Sequence, residues 1–385
     1  PAELAVALGQ PCPAAYRALR LHTDGPESLR ALLELIDGAQ HTLDVCSFML
    51  GRDTVGDAVI SHLATKARSG VQVRLLLDGV GRMMGGWPDL SPLVHAGGRL
   101  GLFAPLLPFN LHGRTNLRNH RKLAVADAGC VAERLWCGGR NLAAEYFETE
   151  PGCAAWHDLS FDLQGPLARQ AADLFQRDWV FAVGAEALRT GAAAAADAKP
   201  IAIAVPGEAA GQIIASGPDQ ADDTVQALLV SAGFHARTRM ALVSPYVLLD
   251  EPLLLALCLA ARRGVEVNLL LPARSNHRLA DIARYRSLRA LAAAGVRVWL
   301  VPHMLHAKCA IIDDVLALAG SANLDSRSLF LNYELMVAFN DASDIARFSA
   351  WFDLERRAAS LYHAQPPGLW RDLVEGLVLW IGFQL

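Results

Sequence analysis

A histidine and a lysine separated by one residue, and followed after four more residues by an aspartate, occur twice in this chain. The two copies are His120, Lys122 and Asp127, and His306, Lys308 and Asp313. Only four lysines are present among 385 residues, so composition does not account for two of them standing in the same pattern. The repeated pattern therefore points to retained chemistry.

Two histidines of this kind suit in-line displacement at a phosphodiester. One neutral imidazole attacks phosphorus while the other, protonated, donates to the departing alcohol, and the roles then reverse. A polar turn follows each motif, G-G-R-N ending at Asn141 and G-S-A-N ending at Asn323. The lysines and these amides can stabilise the pentacoordinate transition state without a divalent ion. We therefore predict no metal and no other cofactor.

Further polar residues are expected to orient the histidines or to contact substrate. An acid usually fixes the remote nitrogen of a catalytic imidazole, and we assign this role to Asp158 in W-H-D and Glu334 in N-Y-E. Asp127 and Asp313 stand at strand ends, where an acid more often ties down the following turn. The candidates for substrate contact are Tyr246, Ser321, Arg114 and Arg118. A solvated basic face is the alternative for the two arginines.

The elements that must position these residues are also duplicated. A helix end, a glycine turn and a buried strand recur at 64–77 and 258–271. Each repeat follows a candidate strand and an amphipathic helical stretch; the strands are 42–50 and 239–248, and the helices are 28–38 and 224–233. This alternation predicts right-handed crossovers and a mixed, mainly parallel sheet with helices on both faces. The motifs lie in strand-like runs, where a period of two puts each histidine and its lysine on one face.

The sequence thus predicts an α/β fold of two tandem pseudo-symmetric lobes with the active site at their interface. The first lobe spans 1–185 and the second spans 211–385. Residues 186–210 lose periodicity and carry Ala, Gly and Pro, which is typical of a connector. The ten remaining histidines stand without this set of neighbours.

Composition excludes several classes of protein. Hydrophobic residues make up 53% and charged residues 19%, which excludes dominant disorder. A net charge of −4 disfavours a dedicated nucleic-acid binder. Seven cysteines without a C-x-x-C pair indicate neither a disulfide framework nor a zinc cage.

Two apolar segments, 102–111 and 373–385, are candidates for contact with lipid acyl chains, and ordinary core packing is the alternative. No window of 18 uninterrupted apolar residues predicts a membrane-spanning helix. The chain shown starts at Pro1 rather than Met, so an upstream membrane anchor is an open expectation.

The sequence resembles the phospholipase D superfamily and, within it, the bacterial cardiolipin synthases. The resemblance is carried by both His-Lys-Asp motifs and by the runs G-G-R-N-L-A-A-E-Y-F, W-H-D-L-S-F-D-L-Q-G-P, S-P-Y and G-S-A-N-L-D-S-R-S-L-F-L-N-Y-E. It implies two phospholipase D-type lobes and a phosphatidyl-histidine intermediate, with His120 as nucleophile and His306 as acid. It also implies phosphatidylglycerol as both donor and acceptor, with release of glycerol. The expected location is the surface of the bacterial inner membrane.

The chain departs from this family in two places. Ten residues separate Asp127 from Gly138, where the family usually has six, which predicts a bulge or an altered hairpin. The paired amino-terminal membrane helices common in these synthases are not in the chain shown. The alternative function is hydrolysis of phospholipids, or less favourably of nucleic acid, by the same histidines; intact motifs disfavour a third class, a catalytically inactive scaffold. The sequence leaves the oligomeric state and the acceptor alcohol open.

Overall fold

The computed structural model describes residues 1–104, 117–147, 154–184, 209–220, 222–368 and Glu375. The chain divides into two compact units. The first lobe consists of residues 11–213, and the second lobe consists of residues 1–10 together with 214–385. Of the predicted connector, residues 186–208 lie outside the described residues, and the predicted lobe boundaries stay a prediction.

The strands of the first lobe are β1 (Ala14–Ala15), β2 (Arg17–His22), β3 (Thr42–Ser47), β4 (Gln72–Asp78), β5 (Arg99–Phe103), β6 (Leu123–Ala126), β7 (Arg134–Gly138) and β8 (Ser160–Gln164). Seven of them form one sheet of order β2-β8-β7-β6-β3-β4-β5. Its helices are α2 (Gly25–Gly38), α3 (Thr54–Arg68), α4 (Gly79–Met84), α5 (Ser91–His95) and α6 (Leu167–Val183), with a 3-10 turn at Ala144–Tyr146. The short β1 lies outside this sheet and pairs with the start of β9 (Ala210–Ser216), Ala14 opposite Gly211.

The second lobe contains the strands β10 (Arg239–Val243), β12 (Glu266–Pro272), β13 (Arg297–Val301), β14 (Cys309–Ile312), β15 (Leu316–Gly320), β17 (Glu334–Phe339) and β18 (Ser360–Leu361). Together with β9 they form one sheet, in which β9 is followed in order by β17-β15-β14-β10-β12-β13-β18. A separate two-stranded ribbon joins β11 (Val247–Leu248) and β16 (Leu324–Asp325). The helices are α1 (Ala2–Ala7), α7 (Thr224–His235), α8 (Glu251–Arg262), α9 (Arg278–Ala293), α10 (Ser326–Phe330) and α11 (Ala342–Arg356).

The amino-terminal ten residues belong to the second lobe because they pack and hydrogen-bond there. Ala5 of α1 is buried in the same apolar cluster as Leu228 of α7. The Gln10 side chain donates to Thr224 Oγ1 at 3.2 Å and accepts from the Ala215 N–H at 2.9 Å. Burying an amide side chain costs little when its hydrogen bonds are made.

The two sheets share one strand order, with β8, β7, β6, β3, β4 and β5 matched by β17, β15, β14, β10, β12 and β13. The expectation of a mainly parallel sheet is wrong. The parallel ladders described in the two sheets join β3 with β4, β4 with β5, β10 with β12 and β12 with β13, and in each of them a helix crosses over between the neighbours. The other ladders described in these sheets are antiparallel, including the hairpins β6 with β7 and β14 with β15 and the long-range pairs β3 with β6 and β10 with β14.

Helical periodicity explains how the helices cover the sheets. On α2 the buried residues follow three- and four-residue steps through Ala31, Leu32, Leu35 and Ile36. Full burial of one such leucine contributes about 1.5–3 kcal/mol. The predicted helix 28–38 is confirmed and begins three residues earlier, at Gly25, where the Asp24 side chain accepts from the Glu27 N–H.

Within the described residues, every helix falls short of the length and apolar content required to cross a bilayer. Residues 105–111 of the first predicted lipid-contacting segment lie outside the described part of the chain, as do 373, 374 and 376–385 of the second. Both assignments stay predictions.

Candidate active site

Each His-Lys pair lies in the segment that leads into a four-residue strand. Lys122 immediately precedes β6 and Lys308 immediately precedes β14, so the pairs stand just ahead of the strands in which the sequence placed them. Both lysines are 1% exposed. A buried ammonium group needs polar or aromatic partners, and each lobe supplies them differently.

In the first lobe the motif packs against Phe48, a residue that the sequence gave no role. The rings of Phe48 and His120 meet edge to face with centroids 5.3 Å apart. Lys122 Nζ lies 5.7 Å from the centroid of the same Phe48 ring and donates to the His120 carbonyl oxygen at 2.6 Å. Phe48 therefore positions both motif side chains by aromatic and cation-π contacts.

A buried polar network holds the residues on either side of His120. The Arg121 guanidinium pairs with Asp178 of α6, and both side chains are almost fully buried, 0% and 2% exposed. Asn119 Nδ2 donates to the other Asp178 oxygen at 2.9 Å, and the Asn119 N–H donates to Asp78 Oδ2 at 2.9 Å. His120 is thus fixed through its two chain neighbours.

Asp78 connects this network to α4. Its Oδ1 accepts from the N–H groups of Val80 and Gly81, which caps the start of the helix. Burial raises the pKa of Asp78 to about 6, although hydrogen bonds from backbone N–H groups, that of Asn119 foremost, oppose this rise. The carboxyl group is therefore partly protonated near neutral pH.

In the second lobe the lysine contacts the imidazole directly. Lys308 Nζ lies 2.7 Å from His306 Nδ1 and 3.0 Å from Nε2, and also contacts the His306 carbonyl oxygen. The Tyr246 ring stands edge to face to His306, with centroids 6.4 Å apart. Tyr246 Oη donates to Asn276 Oδ1 at 2.5 Å, which orients the ring. Tyr246 therefore lies beside His306, while its predicted contact with substrate stays a prediction.

The two turn asparagines are buried and share an unusual feature. Asn141 and Asn323 are 4% and 6% exposed. Among the described residues, the side-chain oxygen of each asparagine has no hydrogen-bond partner. Asn141 Nδ2 donates to Tyr146 Oη at 2.8 Å, which fixes its amide plane. Leaving a buried amide oxygen without a partner costs about 1–3 kcal/mol, so each of these two oxygens calls for an explanation.

Arg140 fixes the G-G-R-N turn of the first lobe. Its guanidinium is fully buried and donates to the carbonyl oxygens of Tyr146 and Asp158, and to Ser160 Oγ. The corresponding residue of the second lobe is Ala322, whose N–H lies 3.4 Å from Met336 Sδ. The turns therefore present equivalent asparagines through different local contacts.

The motif aspartates clamp the backbone that leads into a neighbouring strand. The Asp127 carboxylate accepts from the N–H groups of Gln40, His41 and Thr42, directly before and at the start of β3. The Asp313 carboxylate accepts from the N–H groups of Arg237, Thr238 and Arg239, before and at the start of β10. The turn that they hold precedes the adjacent strand instead of following their own.

The long segment after Asp127 is accommodated in the turn and not in the ladder. β6 and β7 pair in unbroken register from Leu123 opposite Cys137 to Ala126 opposite Arg134. β14 and β15 pair in the same manner. The predicted bulge is therefore absent from this ladder, and the predicted altered hairpin is present as a longer turn closed by the Gly129 N–H donating to Glu133 Oε2.

The two expected orienting acids have different surroundings. Glu334 is buried, and Ser321 Oγ donates to its Oε2 at 2.5 Å while Asn332 Nδ2 donates to Oε1 at 3.3 Å. In the first lobe Gly139 replaces Ser321, and a side chain there would collide with the Asp158 carboxylate. The shorter Asp158 thus lies against a glycine, and its Oδ1 accepts from the Leu159 N–H at 2.7 Å.

Another carboxyl group of the second lobe, Asp325, was not foreseen as part of the site. It caps α10 by accepting from the Ser328 N–H at 2.7 Å. Burial raises the pKa of Asp325 to about 6, and the charge of Glu334 contributes in the same direction, while Lys308 lowers it. Asp325 therefore belongs to the electrostatic environment of Lys308.

The remaining candidates differ in outcome. Ser321 Oγ is committed to Glu334 and also accepts from the Leu335 N–H at 2.9 Å, which favours a positioning role over contact with substrate. Arg118 donates to the Leu117 carbonyl oxygen at 2.7 Å and acts on Asp78 through its charge. Arg114 lies outside the described residues. Of the residues missed, Phe48 lies within the predicted strand 42–50, whereas Asn119 and Asp178 gave no sequence signal for their contact.

Comparison with known proteins places this geometry in a family. The family model described as "Cardiolipin synthase, PLD-like domain" matches residues 32–179 and 234–355. Cardiolipin synthase A of Pseudomonas aeruginosa strain PAO1 is 32% identical over 343 residues, which cover 85% of this chain and 64% of that protein. Cardiolipin synthase A of Escherichia coli O157:H7 is 30% identical over 375 residues, which cover 93% of this chain and 74% of that protein.

Solved structures agree on the fold. The phosphatidylserine synthase of Haemophilus influenzae Rd KW20 superposes with a TM-score of 0.72 at 14% identity, covering 100% of this chain and 99% of that one. The polyphosphate kinase of Porphyromonas gingivalis gives 0.59 at 13% identity, covering 95% of this chain and 53% of that one. At such identities the likeness concerns the fold alone. With both motif sets in place and the family model matching most of its length, the chain belongs to the phospholipase D superfamily, in the family of cardiolipin synthase, PLD-like domains.

Proposed function

We propose that the protein is a phosphatidyltransferase that joins two phosphatidylglycerol molecules into cardiolipin and releases glycerol. The relatives that carry the name cardiolipin synthase A support the reaction class. In this proposal His120 and His306 act on opposite sides of one phosphorus atom, so that each chain has a single active site.

The observation that carries the proposal is the duplication of one local arrangement in differing surroundings. In each lobe a histidine and a buried lysine precede a four-residue strand. An aspartate directly after that strand clamps the backbone at the start of the neighbouring strand in the sheet, and a buried asparagine follows the next strand along the chain. The neighbours have diverged, with Arg121 and Arg140 matched by Ala307 and Ala322. Packing alone would not retain the same polar set while its surroundings change.

In the first half of the reaction, one neutral imidazole forms a bond from nitrogen to the phosphorus of the donor lipid. The bond from phosphorus to the glycerol oxygen breaks, and the second imidazole, protonated, gives its proton to that oxygen. Following the resemblance, His120 is the nucleophile and His306 is the acid. Glycerol leaves as a neutral alcohol, and a phosphatidyl-histidine remains.

In the second half, the terminal hydroxyl of another phosphatidylglycerol attacks the same phosphorus. His306, now neutral, takes the hydroxyl proton, and the bond from phosphorus to the His120 nitrogen breaks. Cardiolipin leaves and both imidazoles regain their starting states. Water in place of this hydroxyl gives phosphatidic acid through the same steps, so synthesis and hydrolysis differ only in the acceptor.

The lysines and asparagines supply the electrostatic part of catalysis. The transition state gains negative charge on its equatorial oxygens. Lys122 places positive charge at the His120 backbone carbonyl, and Lys308 places it at the His306 ring. The oxygens of Asn141 and Asn323, unpartnered among the described residues, can accept from a lysine ammonium or a substrate hydroxyl.

The contact between Lys308 and His306 defines the protonation state of His306, the proposed acid, before substrate binds. A lysine ammonium has donors only, so the ring nitrogen that accepts from it carries no proton, and His306 is neutral in this arrangement. We propose that a bound phosphate draws Lys308 away from the ring. His306 is then free to take up from solvent the proton that it gives to the leaving alcohol.

The test uses the full chain with phosphatidylglycerol in mixed micelles and excess chelator. We expect a diphosphatidyl product and free glycerol in equal amounts. His120→Ala and His306→Ala should each lower kcat by at least about 10²–10⁴-fold, because each removes a proton-transfer or nucleophilic group. Trapping and mapping the phosphorylated histidine identifies the nucleophile.

His62→Ala is the matched control. His62 lies on α3 and pairs with Asp37 at 2.7 Å at the surface, so its removal should leave kcat unchanged. Phosphatidic acid as the sole product would replace the synthase proposal by a phospholipase. Turnover of a nucleic-acid phosphodiester without turnover of lipid would overturn the substrate class.

A further inference from the structure

The first lobe exposes a group of large apolar side chains beside α4. Met83, Met84, Trp87 and Val94 are 44%, 58%, 51% and 51% exposed, and they fall within twelve residues of the chain. Elsewhere in the described part of the chain, no stretch of twelve residues holds more than two such exposed side chains. We call these four residues the α4 patch. Apolar side chains grouped in this manner on a surface mark contact with a partner or a membrane.

Trp87 is held in a conformation that argues for a surface role. Its φ of 57° lies in the left-handed region, which glycine and asparagine adopt far more readily than a bulky residue. Two glycines, Gly85 and Gly86, precede it, so a turn suited to a small residue presents an indole instead. Strained residues of this kind concentrate at functional sites.

Basic groups surround a cavity beside the α4 patch. The cavity is ≈ 600 Å³, and its lining includes Arg52, Arg82, Trp87, Val94 and His95. The Arg82 guanidinium lies 5.2 Å from the centroid of the Trp87 ring. One carboxylate, Asp89, also lines it. In a chain with net charge −4, two arginines among exposed apolar groups complement an anionic surface.

The α4 patch is connected to the site by direct packing. A side chain on Gly81 would collide with the Phe48 carbonyl, so α4 lies directly on the residue whose ring meets His120. Asp78, which caps α4, also accepts from the N–H of Asn119, next to His120. A ligand bound to α4 therefore contacts the helix that packs on Phe48 and is capped by Asp78, two residues that hold His120 and its neighbour in place.

Resting on the proposed function, we infer that the α4 patch docks on the surface of a phospholipid bilayer that contains anionic lipid. Trp87 and the two methionines enter the interfacial region, where tryptophan is favoured, and Arg52 and Arg82 bind lipid phosphates. This docking would bring the phosphatidyl substrate to the lobe that carries His120.

The test measures binding separately from turnover. The full chain is sedimented with vesicles of phosphatidylcholine alone, or of phosphatidylcholine with phosphatidylglycerol. We expect Met84→Gln with Trp87→Asn to lower the partition coefficient for both kinds of vesicle by about tenfold or more. Arg52→Gln with Arg82→Gln should lower it about thirtyfold, and only with the anionic vesicles. Asparagine at 87 suits the positive φ, which keeps the turn intact.

Leu354→Gln is the matched control, since Leu354 is 56% exposed on α11 of the second lobe and should leave binding unchanged. His120→Ala should bind vesicles like the wild type, which separates this inference from the reaction itself. Turnover of a short-chain phosphatidylglycerol below its micelle concentration should survive the α4 patch changes. Wild-type binding by the Met84/Trp87 variant would overturn the inference. A wild-type dimer that this variant converts to monomer, with vesicle binding unchanged, would assign the α4 patch to a second copy of the chain instead.

Discussion

Arg121 and Asp178 form a buried ion pair next to the first His-Lys motif. Arg121 stands between His120 and Lys122, and its guanidinium contacts a carboxylate of α6, 57 residues along the chain. The second lobe has Ala307 at the equivalent position, so the fold tolerates an apolar residue there. Arg121→Met keeps much of the side-chain volume and removes the charge.

The expected cost follows from burial. The side chains of Arg121 and Asp178 are 0% and 2% exposed, so the substitution leaves a buried carboxylate without its cation. Breaking such a pair from one side costs about 3–5 kcal/mol. That is a large part of the ~5–15 kcal/mol by which domains are stable. Arg239→Met is the matched control, because its pair with Asp353 is 28% and 42% exposed and should be worth about 0–1 kcal/mol.

A second variant separates charge burial from loss of packing. Arg121→Met with Asp178→Leu removes both charges, and its cost should fall to about 1–3 kcal/mol, because Asn119 Nδ2 loses its acceptor. Urea unfolding of the full chain, followed by tryptophan fluorescence, gives these free energies. An Arg121→Met variant within about 1 kcal/mol of the wild type would refute the reasoning from burial. So would a double variant less stable than the single one.

Three further predictions concern carboxylates and the Ser321 hydroxyl. Burial pushes the pKa of Asp313 upward, but hydrogen bonds from the N–H groups of Arg239 and Thr238 outweigh it and hold this pKa below its ordinary value. Its stabilisation is therefore present above about pH 4 and lost as the pH falls, and Asp313→Asn should flatten the acid limb of a plot of unfolding free energy against pH. Asp78 behaves oppositely, because burial raises its pKa to about 6. Its contribution to the free energy of unfolding is present below about pH 4 and is lost as the pH rises through about 6. Asp78→Asn should remove this pH dependence in the same titration. Ser321→Ala should lower kcat about tenfold and leave KM nearly unchanged, because it removes the 2.5 Å bond to Glu334. It should also lower the free energy of unfolding by about 1–3 kcal/mol, because the buried Leu335 N–H loses its acceptor. A changed KM with unchanged kcat would assign Ser321 to substrate contact.

Local patterns in the sequence were sufficient for much of the fold. The strands predicted at 42–50 and 239–248 are found at Thr42–Ser47 and Arg239–Val243, because continuous apolar runs and glycine turns mark buried strands. The helix predicted at 224–233 is confirmed as Thr224–His235. The number of parallel strand pairs was overestimated because the repeats at 64–77 and 258–271 cover only the strands that are joined by helical crossovers, and not the antiparallel strands β6, β7, β14 and β15.

Contacts between distant residues were beyond sequence reasoning. Asn119 and Asp178 are 59 residues apart, and nothing in the local pattern of either predicts the other. The pairing of Ser321 with Glu334 was also missed, because a serine in a polar turn suggests substrate binding as readily as support of an acid. The motif residues themselves were visible because their types and spacing recur, which requires no knowledge of the fold.

The length of β6 and β14 explains why the motif has its particular spacing. The four residues between Lys122 and Asp127 are the whole of β6, and those between Lys308 and Asp313 are the whole of β14. The reactive side chains lie just before the first residue of each strand. The aspartate just after its last residue binds the start of the neighbouring strand in the sheet, β3 or β10. Adding one residue between lysine and aspartate would reverse which side chains face each layer of helices. The interval of four is therefore fixed by backbone geometry, and a search for distant relatives should allow variation in the turns before it allows any in this interval.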